Sequence, residues 1–137
     1  MIVGDGVVFD AVTAPIELHP FDGAEIVIGD GCRIGSGASI EATRSVTLGA
    51  RCRIGEFSKI IDNHHHPVTG DRHLETPEGI PVALEDDVTL DPWAVVLAGA
   101  QIGAGARIGA ATVIRRRVHA RAFVCGHPPR LQGSAPS

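Results

Sequence analysis

Three adjacent histidines, His64, His65 and His66, stand in a segment rich in proline and charged residues that runs from Asp62 to Pro81. Imidazole changes its protonation state near neutral pH, so such side chains can serve as a general base or bind a metal ion. Asp62 lies just before the run, where its carboxylate could orient an imidazole by accepting the second ring proton. The alternative for Asp62 is a purely structural role in a corner turn. This segment is the first candidate site.

Further candidates surround the histidines in the sequence. Arg72 and His73 follow a Gly-Asp pair, and Glu85 comes soon after the segment ends. Arg72 and His73 are more typical of the rim of a cleft than of its interior, and Glu85 could face the same cleft. Trp93 could stack on a ligand, or pack between subunits.

Arginines cluster toward the C-terminus. They are Arg115, Arg116, Arg117, Arg121 and Arg130. The planar guanidinium group is well suited to binding phosphate. The alternative is a basic surface that prevents the open end of a repeat structure from stacking on another molecule.

A repeat of six residues defines the elements that must position these side chains. From residue 84 onward, apolar residues occur at every sixth position: Leu84, Leu90, Val96, Ile102, Ile108 and Ile114. A small or β-branched residue follows each of the first five by four positions: Val88, Ala94, Ala100, Ala106 and Thr112. This period predicts an all-β fold, a triangular parallel β-helix with three short strands per turn. Residue n then stacks on residue n + 18 in the next turn, which we call the next coil.

The repeat is interrupted in several places. The step from Ile40 to Leu48 is eight residues instead of six, which predicts a bulged corner near residues 43–45. The repeat stops between residues 62 and 81, which predicts a loop ejected from the coil, and such loops often carry site residues.

The two ends of the chain follow the repeat less well. Residues 10–25 keep no clear register, and the ladder is expected to end at the arginines, followed by an irregular tail. We expect a single domain over residues 1–131, with about five coils and the ejected loop at 62–81, and a disordered tail at 132–137.

The composition agrees with a narrow core. The chain is 44% hydrophobic but only 4% aromatic, and its net charge of −4 does not favour nucleic acid as a partner. No long apolar run or leader sequence is present, which predicts a cytoplasmic protein that does not bind membranes. Cys32 and Cys52 occupy small inward positions in neighbouring coils, where we expect buried thiols and no disulfide. Cys125 is expected to pack in the tail.

Three segments resemble a known family. They are Ile60-Ile61-Asp62-Asn63-His64-His65-His66-Pro67, Leu97-Ala98-Gly99-Ala100-Gln101-Ile102-Gly103, and Val113-Ile114-Arg115-Arg116-Arg117-Val118 followed by Phe123-Val124-Cys125-Gly126-His127-Pro128-Pro129-Arg130. They are similar to the His-Pro loop, the L-P-G-V-x-I-G motif and the C-terminal motifs of the hexapeptide-repeat acyltransferases. The three segments are similar especially to those of the small sugar O- and N-acetyltransferases of the maltose and galactoside acetyltransferase type. The resemblance implies the left-handed form of the β-helix.

The same resemblance implies an enzyme that moves an acetyl group from acetyl-CoA to a hydroxyl or amine. The acceptor would be a sugar, a nucleotide sugar or a glycan precursor, as in polysaccharide biosynthesis. His66 would be the general base in a direct attack on the thioester, with His64 or His65 as alternatives, and Asp62 would orient it. Arg72, Glu85 and Trp93 are candidate acceptor-binding residues.

The resemblance also implies where the donor binds. Backbone groups near Gly99, Ala110 and Ala111 would hold the pantetheine arm of acetyl-CoA, and Arg116 and Arg130, which match lysines of the family, would hold its phosphates. The family implies a homotrimer with sites between subunits, and no metal. One departure is Trp93, which stands where the family usually has a small residue or asparagine.

Two other functions fit the same fold. The γ-class carbonic anhydrases use histidines from two subunits to bind zinc, and the histidine run could do the same. That class has a His-x4-His pair that this chain lacks, and adjacent residues of an extended chain point apart. A non-catalytic scaffold is the second alternative.

Overall fold

The structure of the protein is a computed structural model, which describes residues 1–63 and 79–135. Within these ranges all regular structure is β-strand, and the strands form three sheets that are the walls of a triangular coil. Sheet A contains β1 (Ile2–Val3), β4 (Glu25–Ile28), β7 (Ser45–Leu48), β10 (Val82–Leu84), β13 (Gln101–Ile102) and β16 (Arg117–Val118). Sheet B contains β2 (Val8–Asp10), β5 (Arg33–Gly35), β8 (Arg53–Ile54), β11 (Thr89–Leu90), β14 (Arg107–Ile108), β17 (Ala122–Cys125) and β18 (Arg130–Ser134). Sheet C contains β3 (Glu17–Pro20), β6 (Ser39–Ala42), β9 (Lys59–Ile61), β12 (Val95–Val96) and β15 (Val113–Ile114).

The inward-facing residues stack from coil to coil as the repeat predicts. Leu84 pairs with Ile102 on sheet A, and Val96 pairs with Ile114 on sheet C. All four are at most 4% exposed. The predicted turn of eighteen residues is therefore confirmed, and sheet C, with five strands, agrees with the expected number of coils.

The chain passes from sheet A to B to C and back to A, so the prism has three edges. We call them the A–B, B–C and C–A edges. Tight corners at the first two edges place residues in the left-handed region, with φ near +60° at Arg51, Phe57 and Asp87 among others. Each edge therefore presents one short column of corner residues, spaced by the rise of about 4.8 Å between parallel strands.

Both interruptions of the repeat lie on the C–A edge. The two additional residues form a wide corner at Thr43–Arg44, between β6 and β7, as expected. The ladder then stops after β9 and restarts at β10, and Leu84 pairs directly with Leu48 across the gap. The coil continues in register because the intervening segment leaves and re-enters at one edge.

The structure corrects the prediction for the C-terminal residues. The arginines do not end the ladder, because β16 pairs with β13 and β17 pairs with β14. The chain then reverses, and β18 runs antiparallel to β17, so residues 132–134 are part of a strand rather than a disordered tail. The repeat was obscured because the step from Ile114 to the next inward residue, Val118, is four residues.

The N-terminal region also differs from the prediction. Residues 17–20 form β3, which pairs in register with β6, so a complete first coil precedes the buried core. Its apolar residues remain partly open, with Ile2 57% exposed and Phe9 41% exposed. No preceding coil covers them in the described structure, so their burial pattern does not repeat that of later coils.

The cysteines agree with the prediction. Cys32 and Cys52 are fully buried free thiols in consecutive coils. The Sγ of Cys32 donates to the carbonyl oxygen of Gly49, and that of Cys52 to the carbonyl oxygen of Glu85, each at 3.1 Å. Burial raises the pKa of both thiols, that of Cys52 to about 12.

We expect these two thiols to resist alkylation until the protein unfolds, because burial keeps them protonated. Their raised folded-state pKa contributes stability below the unfolded-state pKa of 9.0, and this contribution is lost as the pH rises toward about 12. Iodoacetamide at pH 8.5 followed by peptide mapping should label the half-buried Cys125 and spare Cys32 and Cys52. A Cys52→Ala variant should lose less stability above pH 9 than the wild type; an identical alkaline profile contradicts the assignment.

Candidate functional site

Asp62 occupies an inward-facing position directly after β9 and is fully buried. Its Oδ1 accepts hydrogen bonds from the backbone N–H of Thr43 at 2.8 Å and from the Thr43 hydroxyl at 3.2 Å. Its Oδ2 accepts from the backbone N–H groups of Arg44 at 2.7 Å and Ser45 at 2.8 Å. The wide corner turns these donors inward, and buried donors require an acceptor. The carboxylate therefore closes the bulged corner of the preceding coil.

The base of the ejected segment is held at both ends. The backbone N–H of Ile80 donates to the carbonyl oxygen of Asp62 at 2.8 Å. Gly79 is buried against the bulged corner, where an added Cβ would lie 2.5 Å from the Oγ1 of Thr43 and 2.9 Å from the backbone nitrogen of Arg44. No side chain fits there, so glycine allows the returning chain to pack against the corner that Asp62 closes.

The C–A edge brings this base together with two other predicted features. Gly99, with a φ of 81°, donates its N–H to the carbonyl oxygen of Ile80 at 3.3 Å. Arg115 and Arg116 form the same corner one coil further, and both are exposed. The loop base, Gly99 and Arg116 therefore follow one another along a single edge, at intervals of about 4.8 Å per coil.

Several predicted site residues lie on other edges. Trp93, Ala110 and Ala111 are at the B–C edge, whereas Glu85 is at the A–B edge. The Oε2 of Glu85 accepts a hydrogen bond from the backbone N–H of Ala104 at 2.8 Å, which bridges two coils. Arg130 begins β18 at the C-terminal end of sheet B. One protomer thus does not gather all the predicted residues around one cleft.

The remaining predicted residues lie outside the described ranges. These are His64, His65, His66, Arg72 and His73. Their roles stay predictions. Within the described residues no group of three histidine, cysteine or carboxylate side chains is placed to hold a metal ion.

Sequence reasoning missed a stacked aromatic pair on the B–C edge. The rings of Phe57 and Trp93 are parallel, with centroids 4.7 Å apart and an interplanar angle of 11°. The signal is visible in the repeat, because Phe57 and Trp93 each come three positions after an inward residue, Ile54 and Leu90. Equal offsets place both at the same corner of consecutive coils.

Charge is distributed very unevenly along the coil axis. All sixteen acidic residues lie at or before Asp91, whereas six of the twelve basic residues follow it. Among the described residues, order in the sequence is order along the axis of the coil. Arg107 pairs with Asp91, and the five arginines that follow it give the C-terminal end an excess of positive charge, which attracts anionic ligands.

A cavity of about 700 Å³ opens at that basic end. The residues that line it include Val118, Val124 and Leu131 together with Arg116 and His127. Its volume falls in the range of small-molecule sites. In the part of the chain that the structure describes, no helix is long and apolar enough to cross a membrane.

Comparison with known proteins agrees with this architecture. Residues 81–116 match the family model of the bacterial transferase hexapeptide repeat. A 2,3,4,5-tetrahydropyridine-2,6-dicarboxylate N-acetyltransferase of Staphylococcus aureus is 38% identical over 58 residues, which are 42% of this chain. The chain spans only 24% of the length of that relative.

Solved acetyltransferase structures have the same fold. A hexapeptide-repeat acetyltransferase of Vibrio cholerae superposes with a TM-score of 0.85 at 23% identity, over 99% of this chain and 74% of that one. A structure of the Vibrio protein with acetyl-CoA gives a TM-score of 0.76. Galactoside acetyltransferase in complex with coenzyme A gives 0.76 at 18% identity, over 95% of this chain and 64% of that one. The predicted resemblance to hexapeptide-repeat acetyltransferases, and with it the left-handed β-helix, is confirmed.

We expect Asp62→Asn to destabilise the protein by about 2–4 kcal/mol, because an amide NH₂ would replace one oxygen that accepts backbone N–H groups. Asp22→Asn is the matched control, since Asp22 is exposed at the same edge, and should change stability by less than about 0.5 kcal/mol. Urea denaturation measures both. Equal stabilities of the two variants would show that the buried carboxylate does not hold the corner.

Proposed function

We propose that this chain is an acetyltransferase that moves the acetyl group of acetyl-CoA to a hydroxyl or amine of a sugar-type acceptor. The observation that carries this proposal is the fixed base of the 62–81 segment on the same edge as Gly99 and Arg116. The histidine run begins one residue after Asn63, which is itself buried. A catalytic base attached to such an anchor is restricted in position, which acyl transfer requires.

The chemistry needs one base and one proton path. His66 takes the proton from the acceptor oxygen or nitrogen as that atom attacks the thioester carbonyl. The tetrahedral intermediate then collapses, the carbon–sulfur bond breaks, and the imidazolium returns the proton to the departing thiolate. The products are the acetylated acceptor and free CoA.

Asp62 acts in this scheme as a positioning residue. A carboxylate has about four lone-pair directions, and the Asp62 oxygens already accept four bonds from Thr43, Arg44 and Ser45. This supports the corner-turn role over direct contact with an imidazole. Its effect on catalysis passes through the position at which the histidine run starts.

The donor is bound by the C-terminal coils. Gly99 and Ala110 offer backbone surface without bulky side chains for the pantetheine arm. Arg116 and Arg130 provide the cations for its phosphates, and no acidic residue follows Asp91 to compete for them. The axial charge asymmetry supports attraction of an anionic donor to this end.

A trimer would complete the site. Sheet C separates the C–A edge from the B–C edge, and three of its outward residues, Ile61, Val95 and Val113, are apolar and half-buried. If sheet C faces a threefold axis, the C–A edge of one protomer meets the B–C edge of the next. His66 of one copy then shares a cleft with Ala110 and Ala111 of its neighbour.

We expect His66→Ala to lower the rate of acetyl transfer at least about 100-fold, because the acceptor proton loses its base. Release of free CoA measures the rate, with galactosides, amino sugars and a dicarboxylic amine as acceptors. His64→Ala and His65→Ala are the matched controls and should retain most of the activity. A larger loss in either control moves the base to that histidine.

Subunit mixing tests the shared cleft. His66→Ala and Ala110→Glu are each expected to be inactive, the second because its carboxylate repels the donor. Co-expressed with different tags, they should give mixed trimers with about a third of the wild-type activity, since in a trimer that contains both variants one site in three combines an intact loop and an intact edge. Light scattering should report three subunits. Mixed trimers without any activity would place each site within one chain.

A further inference from the structure

The aromatic pair on the B–C edge forms a short column. Phe57 and Trp93 both have left-handed backbone conformations, with φ of 58° and 67°. Their ring separation of 4.7 Å equals the rise between coils. Each ring therefore lies at the level of its own coil and projects from the same edge.

One end of this column is closed. In the preceding coil, the same corner position is occupied by Gly37, where an added Cβ would lie 2.4 Å from the ring of Phe57. The ring thus lies over a glycine that leaves room for it. One face of Phe57 covers the backbone, and the other covers Trp93.

The other end of the column is open. In the coil after Trp93, the same corner position is occupied by Ala111, which has a φ of 57°. Its N–H donates to the carbonyl oxygen of Pro92 at 3.1 Å. Its methyl group is too small to cover an indole ring, and Trp93 is 58% exposed. The second face of Trp93 therefore borders a recess one coil deep.

The fold does not need a tryptophan at this position. Corners of the same type are built with Gly37 and Ala111, so the turn does not require an indole ring. A large aromatic ring that is exposed and that the corner does not require points to a function for the ring. A flat group that continues the column would cover its open face.

We propose that the open face of Trp93, above Ala111, is a stacking site for a nucleobase. A planar heteroaromatic ring fits parallel to the indole at the spacing that the column already has. Stacking of a base on an aromatic side chain is tolerant of base identity and typically strengthens binding about 5- to 150-fold.

The surrounding charge favours a nucleotide over an uncharged sugar. Cys125 packs against Gly109, which lies in the preceding coil. A Cβ added at Gly109 would lie 2.4 Å from the Cβ of Cys125. Arg130 pairs with Cys125 across the β17–β18 ladder, and the exposed His127 lies two residues after Cys125 in the chain. The guanidinium group of Arg130 lies on the open side of the column, where the phosphates of a nucleotide would extend.

Two sources could supply the base. One is the adenine of the acyl donor, and the other is the base of a nucleotide-sugar acceptor. Only the choice of source depends on the proposed acetyltransferase function; the stacking site does not.

Intrinsic fluorescence reports this site directly, because Trp93 is the sole tryptophan and the chain has no tyrosine. The full-length wild type is titrated with adenosine 3′,5′-bisphosphate, with UDP, with ribose 5-phosphate and with methyl glucopyranoside. We expect saturable quenching by at least one nucleotide and none by ribose 5-phosphate. Quenching by the adenine nucleotide identifies the donor as the source, and quenching by UDP identifies a nucleotide sugar.

A larger side chain that fills the recess should weaken nucleotide binding. Ala111→Phe places a ring at the vacant level and should weaken nucleotide binding at least tenfold, whereas the matched Ala111→Ser should not. Should Ala111→Phe fail to fold by circular dichroism, Arg130→Ala provides the second test. The Arg130→Ala variant should bind nucleotides more weakly, whereas the quenching of its Trp93 fluorescence by free nucleosides should be unchanged.

Three results would overturn the site: no quenching by any nucleotide, quenching by the pyranoside alone, or equal quenching in wild type and folded Ala111→Phe. The acetyl-transfer assay is independent of this readout. Nucleotide quenching without transfer activity would contradict the proposed function but support the stacking site. Transfer activity without quenching would support the proposed function but contradict the stacking site.

Discussion

The backbone hydrogen bonds between successive coils are the constraint on which the rest of this structure depends. The N–H of Arg33 donates to the carbonyl of Cys52, that of Arg53 to Val88 and that of Thr89 to Ala106, each at 2.8–3.0 Å. These parallel ladders fix the axial spacing of every residue. Insertions are therefore accommodated at edges. The bulged corner at Thr43–Arg44 and the two described ends of the 62–81 segment lie at the same edge in consecutive coils.

Their proximity explains the buried carboxylate. A corner widened by two residues turns backbone N–H groups toward the interior, and Asp62, at the first position after β9, supplies both oxygens to them. The same residue accepts the N–H of Ile80 through its main-chain oxygen. A single residue thus links the corner, the start of the ejected segment and its return. Such a buried acceptor contributes both to stability and to the precision with which the segment begins.

Most of the fold was predictable because one inward aliphatic residue per strand repeats at a fixed step. The burial of Leu84 through Ile114 and the stacking of Cys32 near Cys52 followed from counting alone. The prediction was wrong where the step changes: the four-residue step to Val118 concealed β16 and β17, and the antiparallel return of β18 has no counterpart in the repeat. The roles of the candidate site residues stay predictions. Their places were not predictable, because the sequence analysis named Glu85 and Trp93 together as acceptor-binding residues, whereas within one protomer they lie at the A–B and B–C edges.

The sequence by itself determined the triangular coil, its inward residues and the position of the ejected segment, because these depend on local periodicity. Only the tertiary structure decided that Asp62 binds the corner at Thr43–Ser45, that Phe57 and Trp93 form a column with an open face, and that the candidate residues in the described ranges divide among three edges. These features depend on which residues share a level and an edge in different coils. That relation is set by long-range pairing, and each inserted or missing residue shifts it.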